Sequence, residues 1–246
     1  MNMTKAKTAI VTGATSGIGA AISRSLVAQG FNIMMAGRRT EKLEELAAQL
    51  GETAKFTATD VSKRDDVLSL VNQANDAFGQ VDVLINNAGI MPISLYSSLK
   101  VDDWDKMIDV NLKGTLYGID AVLPQMIERQ SGHIINVASI AGLQTGPAFG
   151  VYSATKSGVR VLSKGLRQEV AAQNIRVTTI SPGTVATELF GTITDPAVLD
   201  VLGQGLGYQP MQPQNIADAV VFTLNQSEAV CMGEIVVRPT GQGAMN

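Results

Sequence analysis

Residues Thr8–Gly19 read TAIVTGATSGIG, and the order of their parts decides the fold. Thr8–Thr12 is a short β-branched apolar run, long enough for a buried strand. GATSGIG follows from Gly13 to Gly19, and after it Ala20, Ala21, Ile22, Ser23, Leu26 and Val27 carry helical spacing. Strand, glycine turn and helix in that order make an anion site. Glycines let the backbone approach a pyrophosphate, and the free N–H groups and dipole at the helix start favour its charge. The spacing is GxxxGxG and not the more common GxGxxG, and a glycine cluster standing alone is most often just a turn.

The same alternation runs outward along the chain. Strands are expected at Phe31–Ala36, Ala54–Ala58, Val81–Asn86, His133–Ala138, Arg176–Ser181 and Glu234–Val237. Between them lie helical patterns at Glu41–Leu50, at Val67 to Phe78, from about Asp103 to Glu128, from about Phe149 to Ala172 and at Pro213–Asn225. Such βαβ alternation calls for a parallel sheet covered by helices on both faces, a doubly wound α/β fold. No linker, repeat or low-complexity stretch divides residues 1–246, so one domain is the simplest reading. Ligands in such sheets bind beyond the carboxyl ends of the strands. Gly13, Gly37, Asp60, Asn86, Ser139 and Pro182 all lie at or just after strand ends and should converge on one edge.

The end of the second strand bears on nucleotide choice. A free ribose 2′-OH is usually held by an acidic residue about 20 residues beyond the glycines. Here the strand runs into Gly37, Arg38 and Arg39. Planar guanidinium forks bind phosphate oxygens in pairs, so the arginine pair favours a 2′-phosphate and hence NADP(H) over NAD(H).

GVYSATKSGV at 150–159 holds the chemistry. On a helix, the four-residue step places Tyr152 and Lys156 on one face. A free tyrosine, with a pKa of about 10, is a poor acid or base near neutrality. A lysine ammonium within roughly 4–6 Å is expected to draw that value down. Tyr and Lys also meet at this spacing by chance in many helices, so the pair gains weight from the glycine turn and from Ser139 upstream.

Composition narrows the classes. Of the 246 residues, 45% are hydrophobic and 17% charged, with formal net charge −3 and no basic run, which argues against a nucleic-acid or membrane-surface protein. No apolar stretch approaches the ~20 residues needed to span a bilayer. The N-terminal MNMTKAK precedes only a strand-length apolar run, and Cys231 is the one cysteine, so a cytoplasmic location is expected. His133, the single histidine, opens a strand and reads as structural, and no His/Cys cluster offers a metal site.

With these residues in place, the chain closely resembles the short-chain dehydrogenase/reductase family over nearly its full length. The matching stretches are TGATSGIG at 12–19, DV at 60–61, NNAG at 86–89, VN at 110–111, ASIAG at 138–142, YSATK at 152–156 and SPG at 181–183. The resemblance implies a Rossmann-like sheet of about seven parallel strands, an NADP(H) cofactor and carbonyl/alcohol interconversion on a small substrate. It assigns Tyr152 as proton donor or acceptor, Lys156 to the nicotinamide ribose, and Ser139 to the carbonyl oxygen. Asn111 would interrupt a helix and hold a water linking the lysine to solvent. Cofactor contacts are implied for Gly13, Thr15, Ser16, Gly17, Ile18 and Gly19, for Arg38 and Arg39, and for Asp60 and Val61. Asn87, Ala88, Gly89, Tyr152, Lys156, Pro182, Gly183 and Thr187 complete them. A homotetramer built on the helices at roughly 103–128 and 149–172 is also implied.

The ending departs from the Asp-Gly-Gly or Asn-Gly-Gly turn of many members, including reductases of carrier-bound 3-oxoacyl chains. Gly233–Gln242 reads GEIVVRPTGQ and looks more like the branch of NADP-dependent 3-hydroxy acid and amino acid dehydrogenases and small carbonyl reductases. A 3-oxoacyl-(acyl-carrier-protein) reductase stays as the alternative, and a catalytically retired NADP(H)-binding sensor or scaffold stands as the reading from another class. Thr184–Gln209 should form the substrate lid, with Leu189, Phe190, Ile193, Val198, Leu199, Val201, Leu202 and Leu206 among four glycines; a surface helix packed on the core fits equally well. Gly146, Pro147, Phe149, Ile90 and Met91 are expected pocket walls. They favour an uncharged ketone, aldehyde or β-keto ester slightly over an acid.

Overall fold

The protein was described through a computed structural model covering residues 6–202 and 207–243. Its strands are β1 (Thr8–Thr12), β2 (Asn32–Gly37), β3 (Ala54–Ala58), β4 (Val83–Asn86), β5 (Gly132–Val137), β6 (Ile175–Pro182) and β7 (Glu234–Val237). They form one seven-stranded sheet in the order β3-β2-β1-β4-β5-β6-β7, and every pairing is parallel. The helices are α1 (Gly17–Ala28), α2 (Thr40–Leu50), α3 (Arg64–Phe78), α4 (Val101–Met107), α5 (Gly114–Glu128), α6 (Gly150–Glu169), α7 (Pro196–Leu202) and α8 (Pro213–Leu224).

Alternation along the strands explains the double winding. In β1, Ala9 and Val11 enter one core with Ile22 and Leu26 of α1, Leu43 of α2 and Val220 of α8. Ile10 between them enters the other core, with Leu70 of α3, Val122 and Met126 of α5 and Leu166 of α6. Successive residues of a strand point to opposite faces, so a wholly apolar run is what a strand covered on both sides requires. Chain order reverses between β1 and β4, which opens a crevice at their carboxyl ends.

The expected helix over about 103–128 is three pieces. Between α4 and α5 the chain widens into a π-helical turn at Ile108–Lys113. The Asn111 carbonyl accepts a hydrogen bond from Thr115 Oγ1 (2.9 Å), and its side chain turns inward. Such widened turns often mark functional positions. The long helix ends at Glu169, three residues short of its expected end, and a 3₁₀ turn at Ala171–Gln173 follows.

Between β6 and α8 lie a 3₁₀ helix at Glu188–Thr192 and then α7. Asp195 fastens this segment. Its carboxylate accepts from Ser98 Oγ (2.7 Å), Leu95 N (3.2 Å) and Ala197 N (3.0 Å), joining the loop after β4 to the start of α7. Leu206 and the side chains of Val201 and Leu202 lie outside the described residues.

Candidate active site

The glycine turn is built around Thr12. Its Oγ1 accepts from the N–H groups of Asn87 (3.0 Å) and Ala88 (3.1 Å), tying the end of β1 to the turn after β4. Asn87 Nδ2 donates back to the Thr12 carbonyl (2.8 Å). Gly13 sits at φ +67, and a Cβ there would lie 2.8 Å from the Ala88 Cα. Only glycine combines that conformation with that approach. The N–H groups of Thr15 to Gly19 find no protein acceptor among the described residues and open at the start of α1. That donor set fits a pyrophosphate.

Gly19 offers its N–H to that donor set and has a second role. It does not line the cavity; a Cβ there would stand 2.7 Å from Asn87 Nδ2 and 2.8 Å from the Gly13 carbonyl carbon. That second role is close packing of α1 on the turn. Thr15, Ser16, Gly17 and Ile18 do line the cavity, as do Arg38, Arg39, Asp60, Val61, Asn87, Ala88, Gly89, Pro182, Gly183 and Thr187.

At the mouth, Arg38 and Arg39 are both exposed. Arg39 is engaged: Nη2 donates to Thr15 Oγ1 (2.7 Å) and Ser16 Oγ (2.8 Å), and Nη1 to Glu188 Oε2 (2.7 Å). The positive field of Arg38 falls on Asp60, whose carboxylate is held below its ordinary pKa mainly by hydrogen bonds from Ser62 that outweigh its burial.

At the inner end, β5 delivers Ser139 and α6 delivers Tyr152 and Lys156. Tyr152 and Lys156 are each 5% exposed. Ser139 Oγ accepts from Ala141 N (3.1 Å), which leaves its proton free to be donated elsewhere. Lys156 Nζ donates to the Val137 carbonyl (3.0 Å) and lies 5.9 Å from the centre of the Tyr152 ring. Burial pushes the tyrosine hydroxyl up to about 12, with Ser139 acting in the opposite direction. Burial brings the lysine down to about 8. This reverses the expectation that the ammonium lowers the tyrosine. Both groups are buried, and the cost of stripping water from the charged form dominates each.

Asn111 stands where the resemblance implied, in the turn that interrupts the helix, and its side chain has a bracing role. It is 1% exposed and does not line the cavity. Its Oδ1 accepts from Ile90 N (2.8 Å), and its Nδ2 donates to the Ile90 carbonyl (2.9 Å) and to Thr155 Oγ1 (3.2 Å). The amide thus braces the loop after Gly89 against α6 from behind.

Around Tyr152 lies an apolar cluster of Met91, Ile93, Met107, Ala141, Ile193 and Val198, with Phe149, Leu189 and Phe190 packed against it. The described part of the 184–209 segment packs on this cluster and walls the cavity. Ile90, Met91 and Phe149 line the cavity as expected; Gly146 and Pro147 do not. The cavity holds about 1140 Å³, room for a dinucleotide with a small second molecule.

Several lining residues had no sequence signal. Glu188 meets Arg39 across 149 residues. Thr184 N donates to Gln242 Oε1 (3.0 Å), and Thr184 Oγ1 pairs with Tyr208 Oη (2.8 Å), so the unusual GEIVVRPTGQ ending braces the turn after β6. Elsewhere, buried His133 bonds Thr178 Oγ1 through Nε2 (2.9 Å), and burial takes its pKa down to about 3. No cluster of metal-ligating side chains occurs among the described residues, and no helix among them is long and apolar enough to cross a membrane.

A crevice at the switch point of a parallel sheet, with a helix start at one end and a buried tyrosine and lysine at the other, belongs to a dinucleotide-dependent oxidoreductase. Residues 7–197 match the model of the short chain dehydrogenase family, and the chain belongs to that family. It is 42% identical over 245 residues to an uncharacterized oxidoreductase of Staphylococcus saprophyticus, covering 98% of this chain and 99% of that one. Among solved structures, it is similar to the closed form of a serine dehydrogenase complexed with NADP+ (TM-score 0.89, 33% identity, 97% of each chain). It is also similar to a 3-ketoacyl-(acyl-carrier-protein) reductase of Brucella melitensis complexed with NADH (TM-score 0.84, 29% identity, 94% of this chain and 96% of that one). The chain is an oxidoreductase with a nicotinamide-cofactor site.

Proposed function

We propose that the protein reduces the carbonyl of a small, uncharged substrate with NADPH, or runs the reverse oxidation of a secondary alcohol. The observation that carries this is the meeting of Ser139, Tyr152 and Lys156 with an apolar wall at one end of a dinucleotide-sized channel. The glycine-turn N–H groups would hold the pyrophosphate, Asp60 and Val61 would flank the adenine, and Arg38 and Arg39 the 2′-phosphate. Asn87, Ala88 and Gly89 on one side and Pro182, Gly183 and Thr187 on the other would enclose the nicotinamide half, with Lys156 on its ribose.

When bound there, NADPH would supply the hydride for the carbonyl carbon. Ser139 and Tyr152 donate hydrogen bonds to the carbonyl oxygen, where negative charge grows. Tyr152 transfers its proton to that oxygen, and a hydroxyl pushed up to about 12 arrives protonated at neutral pH. The Lys156 ammonium then sits beside the new phenolate and offsets its charge. Asn111 keeps the Ile90 loop and α6 in register while this happens.

Charged groups on the cavity gather at the mouth, as Arg38, Arg39, Asp60 and Glu188; the wall near Tyr152 offers none besides Lys156. That favours ketones, aldehydes and β-keto esters over hydroxy acids, and the ending at Gln242 makes a carrier-protein reductase the less favoured alternative. An NADPH-oxidation screen over aldehydes, ketones, diketones, 3-oxo esters and 3-hydroxy acids tests the reading. Turnover confined to the hydroxy acids would overturn the substrate class.

The homotetramer belongs here too. Val161 on α6 is 71% exposed and Leu116 on α5 is exposed as well, an apolar surface that a second copy would cover. Val159 faces inward, so the α6 contact would run through Val161. Sedimentation at micromolar concentration decides it, with a monomer as the contrary result. The single, unpaired cysteine fits a cytoplasmic enzyme.

A further inference from the structure

Arg39 is gripped on two sides. The hydroxyls of Thr15 and Ser16 fix its guanidinium from the glycine turn, at 2.7 and 2.8 Å from Nη2. Its Nη1 reaches over to Glu188 Oε2, 2.7 Å away, where the chain after β6 begins its 3₁₀ helix. Arg38 next to it makes no ion pair among the described residues. Two adjacent arginines at one channel mouth are therefore in different conditions: one already answers a carboxylate and the other does not.

We propose that Glu188 is a cofactor-specificity determinant: its carboxylate competes with the 2′-phosphate of NADP(H) for Arg39, and the arginine exchanges one for the other on binding. This rests on the NADP(H) reading above. Glu188 is ionised at neutral pH, because Arg39 and then Ser16 hold its carboxyl below the usual range. A phosphate monoester carries close to two negative charges at neutral pH and offers oxygens matched to a guanidinium fork. The carboxylate is thus a like-charged rival at the place where the phosphate docks. The hydroxyls of Thr15 and Ser16 stay on Nη2 through the exchange, so Arg39 keeps its position while Nη1 changes partner. A ligand with a free 2′-OH brings no second anion and gains nothing from the exchange.

The size of the effect follows from exposure. The two side chains are 46% and 62% exposed, and exposed ion pairs of this kind hold by no more than about fivefold in equilibrium. Glu188 therefore tunes affinity and does not forbid binding.

The test is calorimetric titration with adenosine 2′,5′-bisphosphate, which carries the 2′-phosphate without the nicotinamide, and with adenosine 5′-monophosphate, which lacks it. Glu188→Gln should tighten the bisphosphate about three- to fivefold and leave the monophosphate unchanged, with an unaltered melting midpoint because the residue is exposed. In an Arg39→Ala background the same substitution should gain nothing. No gain in Glu188→Gln, an equal gain on both ligands, or a gain that persists without Arg39 would each overturn the exchange. A wild-type protein that binds the bisphosphate no better than the monophosphate would instead overturn the NADP(H) reading, and the exchange with it.

Discussion

The two ends of the channel use charge in opposite ways. At the inner end, Tyr152 and Lys156 are buried, and burial pushes the hydroxyl up to about 12, against the Ser139 hydrogen bond, and the ammonium down to about 8. At the mouth, Arg38 and Arg39 stay exposed, and Arg39 is held by partners at ordinary hydrogen-bond distances. Proton chemistry needs a dry place where a pKa can be set. Discrimination between cofactors needs only a charge that meets or fails to meet a phosphate, and water does not prevent that. The difference predicts large effects from small changes inside and modest ones outside.

The sharpest way to break the contrast is Tyr152→Phe. It keeps the ring's packing and removes the hydroxyl, so kcat should fall at least ~10²-fold while NADPH still binds in a titration. Retained turnover on a verified substrate would remove Tyr152 as the proton donor.

Lys156 comes next, through pH. With a folded value of about 8 against 10.5 unfolded, the unfolded chain holds more protons between those limits. The lysine therefore makes the ligand-free protein more stable as pH rises from about 8 to 10.5, and costs stability below 8. Tyr152, raised to about 12 from 10, adds stability that is present below pH 10 and lost by 12. Lys156→Met should raise the melting midpoint at pH 7, less whatever the orphaned Val137 carbonyl costs, and the gain should vanish near pH 10.5. In the wild type, carbonyl reduction should decline as pH passes about 8, because the ammonium is lost there while Tyr152 remains protonated. A decline setting in only above pH 10 would return the titration to the tyrosine.

The mouth should respond less. Arg38→Asp should shift the kcat/KM ratio from NADPH toward NADH by about tenfold, the range of one charge-assisted phosphate bond. An unchanged preference would take Arg38 out of that role. The smallest effect is expected at Asp195, which ties the Glu188–Leu202 segment to the loop after β4. Asp195→Asn exchanges a charged acceptor for a neutral one and should raise the carbonyl KM by about two- to fivefold, leaving the NADPH dissociation constant alone. Equal losses in both would mean the segment supports the whole channel and not its substrate end.

Much of this was legible in the chain because it is local. Thr8–Thr12, three apolar residues between two β-branched threonines, reads as a buried strand, and β1 has those bounds with every position buried. Alternation of such runs with helical spacing implied the parallel order that the sheet shows. The residues at strand ends converge on one edge for the same reason. What the sequence did not show came from contact between distant segments. Gly19 sits in the glycine pattern yet serves packing, since Asn87 presses on it from the turn after β4. Asn111 is consumed by Ile90 and Thr155, neither of which is near it in sequence.

What the sequence determined by itself is the order of the elements and the set of groups available: a tyrosine and a lysine one turn apart, a glycine turn before a helix, two arginines at a strand end. Spacing along a helix or strand is fixed by backbone geometry, so those facts need no fold to be read. Only the tertiary structure decided how those groups behave. Burial of Tyr152 in its apolar cluster with Met91, Ile193 and Val198 sets the direction of its pKa, and Glu188 gives Arg39 a carboxylate partner. A side chain's charge state and its partner depend on the dielectric and the atoms around it, and those are supplied by chain segments far away in sequence.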